Sequence, residues 1–330
     1  QVRRGGFQVS EDRPMSGKEP KVAEKRIPAG LKRGMANLGT KNDSKAERST
    51  PESPRGQGAR GWTEKLLART TSGAVYTIVI LACLFAGVMP TCAIVTAMAW
   101  LCCSEFFRMV RMSGRMPNDI LGLAAAIAFP VAAVMPFAGA MRLVLVLLLI
   151  CCAIWYVATP RSNIADVALT AFAPIYTSLL FSCIVLIRRS DPTWIGGLLT
   201  LAAMGCIWVS DATAYFVGTK FGRHKLAPKI SPNKSVEGFW GGLVGCVAVW
   251  VLVWALGLWN ISLPLAVLIG ACSGVISVVG DLFESRIKRG VGVKDSGDIM
   301  PGHGGLLDRS DSMLFGGMVI YVILHLGGVI

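Results

Sequence analysis

Eight carboxylates, Asp211, Glu237, Asp281, Glu284, Asp295, Asp298, Asp308 and Asp311, fall within 101 residues and share that stretch with ten lysines and arginines. Carboxylates among basic side chains in glycine-rich loops are what a magnesium–phosphate site requires. Mg²⁺ takes few protein carboxylates plus phosphate oxygens, and Lys and Arg offset the remaining phosphate charge. Asp211, flanked by Ser210 and Thr213, lies ~10 Å inside the end of an apolar block at the helical rise, where a desolvated carboxylate needs a cation, a proton or a partner. Asp281 is followed by Glu284, Ser285 and Lys288 at i+3, i+4 and i+7, on one helical face. Asp308 and Asp311 sit together where the last apolar block begins. The run Pro301-Gly302-His303-Gly304-Gly305 suits close approach of backbone N–H groups to a phosphate, although such a run is more often only a turn. Asp298 or Lys225 taken alone reads as an ordinary polar loop residue. No GxxxxGK[ST] loop occurs, which excludes an ATPase of that class.

The elements that must hold these groups are membrane helices. The chain has 330 residues, 53% hydrophobic and 16% charged, with a mean hydropathy of +0.56, too apolar for an ordinary soluble domain. From Ser72 onward it divides into nine apolar blocks at polar or Pro/Gly breaks: Gly73 to Met89, Thr91 to Phe107, Ile120 to Phe137, Leu143 to Ala158, Ala165 to Ile187, Trp194 to Gly218, Val236 to Leu258, Leu263 to Phe283 and Met313 to Gly328. The expected fold is an all-α polytopic membrane protein of about nine transmembrane helices. All ten cysteines lie in apolar stretches without metal-binding spacing, and read as small buried hydrophobes.

The net charge of +13 would raise nucleic-acid binding, but its distribution favours a membrane explanation and no nucleic-acid partner. Residues 1–69 carry 16 basic and 8 acidic groups, and the stretch to Arg60 is rich in Gly, Pro, Ser and Lys without apolar period. That composition predicts a disordered basic cytoplasmic tail, 1–69, ahead of a membrane-embedded domain, 70–330. The tail has no signal-peptide pattern, and Gln1 in place of Met leaves room for a start further upstream. With the tail inside, cytoplasmic loops hold 14 of the later basic residues and outside loops three, Arg142, Arg188 and Arg189. The C-terminus is then outside and the charged loops are cytoplasmic.

Two blocks resemble a known family. Ser285-Arg286-Ile287-Lys288-Arg289, Lys294-Asp295-Ser296-Gly297 and Pro301 through Ser312 closely resemble the signature of CDP-diacylglycerol synthases (phosphatidate cytidylyltransferases). Ser210 to Phe216, Phe221-Gly222, Lys229 to Ser235 and Glu237-Gly238 resemble the family's other characteristic segment. The likeness covers about Ala68 to Ile330. Met300, Ser310 and Ala212-Thr213 depart from the usual pattern without removing a charged or glycine position.

The resemblance implies that CTP and phosphatidic acid give CDP-diacylglycerol and pyrophosphate, with Mg²⁺ required and a monovalent cation such as K⁺ nearby. It makes Asp281 and Asp308 the metal carboxylates. Asp311 or Glu284 would orient metal waters, and Asp211 would bind the second cation or fix a lysine. Lys288, Arg289, Lys294 and Arg309, with Gly304 and Gly305, are candidates for the triphosphate. Lys220, Arg223, Lys234 and Ser235 are candidates for CTP or the lipid phosphate. His303 is a candidate acid for pyrophosphate departure, or a phosphate donor. Phe216, Phe239 and Trp240 are candidates for the lipid entrance. Similar enzymes are dimeric, so a homodimer in the cell membrane is expected, with its active site on the cytoplasmic side. Two rival readings are a CTP-dependent polyprenol or lipid kinase, which would release CDP, and a cation-coupled transporter, which would place polar groups at mid-membrane.

Overall fold

The computed structural model describes residues 70, 71, 73–299 and 304–330. The expected tail 1–69 and His303 with residues 300–302 lie outside the described residues. Among the described residues are nine helices: α1 (Gly73–Ala86), α2 (Val88–Met112), α3 (Asp119–Val134), α4 (Ala140–Ala158), α5 (Ile164–Ser190), α6 (Trp194–Phe221), α7 (Val236–Leu256), α8 (Leu263–Gly290) and α9 (Leu307–Leu326). Each overlies one expected block. Six of them, α2 and α4 to α8, are long and apolar enough to cross a membrane, whereas α1 and α3 are shorter. Helix α9 carries Asp308, Arg309 and Asp311 in its first turns, so less of it is apolar.

Several expectations change. The fold is mostly helical as expected, with one addition: between α6 and α7, β1 (Lys225–Ala227) pairs antiparallel with β2 (Ser231–Ser235), with Lys225 opposite Ser235 and Ala227 opposite Ser231. The first break falls at Gly87 rather than Met89-Pro90. Gly87 has φ 129°, which favours glycine. Pro90 sits in the first turn of α2, where a missing N–H costs little. Helix α8 continues seven residues beyond Phe283 and α9 begins six before Met313. In both, backbone hydrogen bonding carries on through charged residues, of which Glu284, Lys288 and Asp311 are buried in protein.

Local signals set many helix starts. Asn163 and Asp166 form a capping box on α5, and the hydroxyls of Thr193, Ser235 and Ser262 cap α6, α7 and α8. Helices α6, α7, α8 and α9 then pack in succession. Glycines let α7 approach α6 closely: a Cβ at Gly238 would lie 2.8 Å from Ala214 O, and one at Gly242 would lie 2.9 Å from Ser210 Oγ. Gly280 plays the same part between α8 and α9, where a Cβ would lie 2.7 Å from Asp311 O.

Arg188 and Arg189, two of the three basic residues assigned outside, have structural partners. Arg188 is 1% exposed. Its Nε donates to Leu84 O at the end of α1 (2.9 Å), and its Nη1 donates to Asp191 O (2.6 Å). Arg189 Nη1 donates to Ala133 O and Met135 O at the end of α3, each at 2.9 Å. Both guanidiniums therefore satisfy carbonyls that a helix end leaves without partners. In the adjoining turn, hydrogen bonds from Thr193 hold the exposed Asp191 carboxyl below its ordinary range.

Candidate active site

The charged residues converge from four segments: Asp211 from α6, Lys234 from β2, Asp281, Glu284 and Lys288 from α8, and Asp308, Arg309 and Asp311 from α9. Beneath them lies an aromatic floor. Phe283 of α8 meets Tyr176 of α5 at 5.4 Å and Phe315 of α9 at 5.7 Å between ring centroids, and Phe106 of α2 meets Phe172 of α5 at 5.8 Å. Tyr176 stands on the single π-helical turn Ile175–Leu179, which follows Pro174. The Tyr176 hydroxyl lies within the field of Asp311, Glu284 and Asp281.

Two ion-paired groups make up the cluster. In the first, Asp281 Oδ2 pairs with Lys234 Nζ and Oδ1 accepts from Ser285 Oγ (3.3 Å), with both partners of the ion pair about a quarter exposed. In the second, Lys288 Nζ pairs with Glu284 Oε2 and donates to Asp308 Oδ1 at 2.6 Å. The Glu284 side chain is completely buried, and those of Lys288 and Asp308 are 10% exposed. Asp308 Oδ2 also accepts from Ser296 N (2.9 Å) and Gly305 N (2.8 Å). Asp308 lies ahead of the apolar part of α9. Burial opposes its charge, but Lys288 and the two N–H groups outweigh burial and hold the carboxyl below its ordinary value.

Asp311 is buried, and its Oδ1 accepts from Ser312 N at 2.6 Å. Asp211, expected to be desolvated, opens to the surface on one side while packed protein still takes most of its surroundings away from water. Asp211 and Asp311 both lie within the field of Asp281, so three carboxyl groups crowd one place, with Lys234, Lys288 and Arg309 as the nearby positive groups. The donors are all hard oxygens, with no imidazole or thiolate among them. Among the described residues no three His, Cys, Asp or Glu side chains form a group able to hold a metal alone. Hard oxygen donors of this kind are those that Mg²⁺ takes together with water and substrate phosphates.

Other candidate residues make their contacts elsewhere. Ser235 Oγ accepts from Gly238 N at 3.1 Å and so caps α7. Lys220 lies over the Phe221 ring at 5.4 Å. Arg223 N and His224 N donate to the Glu237 carboxylate, which also pairs with His224 Nδ1 at 2.6 Å. Glu237 thereby ties the start of the hairpin to α7, and so helps carry Lys234 to Asp281. Arg289 Nη1 donates to Val293 O at 3.1 Å, and Lys294 is exposed. Gly304 has φ +85°, and the N–H of Gly305 is directed at Asp308. Trp240 lines an apolar groove of about 840 Å³ between α6 and α7, together with Val217, Gly241 and Val244. Phe216 is exposed and Phe239 packs edge-on against Trp240.

One residue of this site escaped the motif reading. Glu105 of α2 is 3% exposed and receives Ser296 Oγ (3.0 Å), Leu306 N (3.0 Å) and Leu307 N (2.8 Å). The only advance signal was a lone carboxylate in an apolar block, which is costly and worth attention by itself.

Comparison with known proteins gives one family. A model of the cytidylyltransferase family matches residues 67–327. The phosphatidate cytidylyltransferase of Bacillus subtilis (strain 168) is 32% identical over 265 residues, covering 78% of this chain and 97% of that protein. The phosphatidate cytidylyltransferase of Synechocystis is 45% identical over 136 residues, 40% of this chain and 44% of that protein. The protein of the same name from Thermotoga maritima is 36% identical over 173 residues, 51% of this chain and 62% of that protein.

Proposed function

This chain belongs to the cytidylyltransferase family, and from that premise we propose that it is a phosphatidate cytidylyltransferase, converting CTP and phosphatidic acid into CDP-diacylglycerol and pyrophosphate. The observation that carries the reading is the convergence of Asp211, Asp281, Asp308 and Asp311 with Lys234, Lys288 and Arg309 from α6, β2, α8 and α9. Such a site can hold a metal-bound triphosphate beside a phosphomonoester.

An oxygen of the lipid phosphate attacks the α-phosphorus of CTP. The new P–O bond forms as the bond to the pyrophosphate oxygen breaks, and pyrophosphate leaves with that electron pair. The attacking phosphate is already anionic near neutral pH, so positioning and charge neutralisation dominate over general-base catalysis. Asp281 and Asp308 would hold Mg²⁺, with Asp311 on its waters and Asp211 toward a monovalent cation. When bound, Mg²⁺ supplies charge neutralisation on the triphosphate. Lys234 and Lys288, now paired with Asp281 and Asp308, are placed to turn toward phosphate oxygens as the carboxylates take up the cation. Arg309, near Asp211, reaches the same space. Glu284 keeps the Lys288 ammonium charged beneath the site.

The acyl chains remain in the bilayer, and the groove beside Trp240 is the candidate berth for one of them. We assign α1, α3 and the apolar part of α9 as additional spans, making nine, with the basic loops and the active site on the cytoplasmic side of the cell membrane. A homodimer is the working assembly.

Reconstitution of the full chain with α-labelled CTP, phosphatidic acid and Mg²⁺ tests the reading. Labelled CDP-diacylglycerol and pyrophosphate should appear in equal amounts. Folded protein that makes neither refutes the synthase, and release of labelled CDP with a doubly phosphorylated lipid would instead identify a kinase.

A further inference from the structure

Asp308 takes its place from a loop and a helix start, and both are fastened to a helix nearly two hundred residues earlier in the chain. The two carboxylate oxygens of Glu105 accept Ser296 Oγ, Leu306 N and Leu307 N. The latter two are among the first donors of α9, whose N-cap residue Leu306 provides no side-chain cap. A helix start leaves such N–H groups without partners and favours a nearby negative charge. Glu105 meets both needs from another helix. One turn further along α2, Arg108 Nη2 donates to Ser296 O at 3.0 Å.

These bonds close on the candidate metal carboxylate. Ser296 N and Gly305 N both donate to Asp308 Oδ2. Ser296 therefore gives its hydroxyl to Glu105 and its N–H to Asp308. Gly305 gives its N–H to Asp308, while the next two N–H groups go to Glu105. The glycines make room for this arrangement. A Cβ at Gly297 would lie 2.5 Å from Glu105 Oε1, and one at Gly305 would lie 2.6 Å from Glu105 Oε2 and closer still to Ser296 Oγ, which is itself bonded to Glu105. At these two positions the missing side chain accommodates a carboxylate belonging to the protein itself.

We propose that Glu105 is a positioning residue, which acts on catalysis by clamping both ends of the segment from Ser296 to Leu307 and so orienting Asp308. The catalytic half of this inference rests on the synthase reading; the structural half does not. A buried carboxylate without a cationic partner among the described residues is costly in an apolar helix, and fixing the loop and α9 is the return visible in the structure.

The test uses the full chain in nanodiscs, with hydrogen exchange measured without CTP or metal and turnover measured separately. Glu105→Gln keeps the shape but turns an amide NH₂ toward N–H donors. Its segments 294–299 and 304–307 should exchange about tenfold faster or more, with α6 and α7 unchanged. Turnover should fall about tenfold or more, while the KM for phosphatidic acid stays within about twofold. Gly297→Ala breaks the clamp from the loop side and should give the same pattern. In a Glu105→Ala background the added methyl has space, so its further effect should shrink to within about twofold. Wild-type exchange in Glu105→Gln, lost turnover with unchanged exchange, or fully multiplicative losses in the double variant would each overturn the proposal. If Glu105→Ala does not fold, Glu105→Gln and Gly297→Ala decide. Faster exchange in a protein that makes no CDP-diacylglycerol would remove the synthase reading and leave the clamp standing.

Discussion

Replacing Lys288 by Met separates the structural from the chemical use of its charge. The side chain is 10% exposed and its ammonium joins the fully buried Glu284 to Asp308. Met retains most of the apolar stem but removes a hydrogen bond between charged groups, worth about 1.5–3 kcal/mol. It also leaves the buried Glu284 carboxyl without its cation, to take up a proton or to stay charged away from water. Breaking a buried pair from one side costs about 3–5 kcal/mol in total, of which the stranded charge is a large part. Glu284→Gln removes that stranded charge, so Lys288→Met/Glu284→Gln should recover about 1–3 kcal/mol relative to Lys288→Met alone. Turnover should not recover, because Asp308 still lacks its ammonium and the site still lacks a cation for phosphate. The assays are reversible unfolding in mixed micelles for stability and CDP-diacylglycerol formation per folded molecule for activity. A Lys288→Met protein as stable as wild type would refute the buried bridge. A double variant with wild-type turnover would refute the role of the Lys288 charge in the reaction.

Three further outcomes follow from the geometry. Asp281→Asn and Asp308→Asn should each lower turnover about 10²-fold or more and raise the Mg²⁺ concentration for half-maximal rate; wild-type metal dependence in either variant removes that residue's assigned metal role. Glu237→Gln should loosen the hairpin, with faster amide exchange at Arg223 and His224 and a stability loss of about 1–2 kcal/mol, and unchanged exchange there would show that Glu237 does not tie it. Arg188→Met, in the last turn of α5, should cost about 2–3 kcal/mol by stranding the carbonyls of Leu84 and Asp191, while turnover per folded molecule stays at the wild-type value. A selective loss of turnover would contradict its purely structural placement.

The helices were legible because apolarity over about 20 residues is a local property that adds along the chain. Their charged ends were not. Glu284 and Lys288 lie beyond the apolar limit of the eighth block, yet α8 continues through them because they pair with each other and with Asp308 inside the protein. The hairpin was equally hidden: Lys225 to Ser235 has no alternating apolar pattern, and its start is tied by Glu237 of the next helix. Arg188 and Arg189 looked like exceptions in a charge count, because a count does not register carbonyls at the ends of α1 and α3.

By itself the sequence determined that this is a membrane protein with apolar blocks in the places of its nine described helices, and it singled out Asp211, Asp281 and Asp308 as candidate carboxylates. Residue type and short spacing carry that information, since a carboxylate in an apolar helix is costly wherever the helix packs. Tertiary structure alone decided which charges meet: Lys234 with Asp281, and Lys288 between Glu284 and Asp308. It also decided what the signature glycines make room for. Gly297 and Gly305 surround Glu105, which lies 192 and 200 positions away. No local pattern encodes that contact, because it exists only once α2 and α9 have packed together.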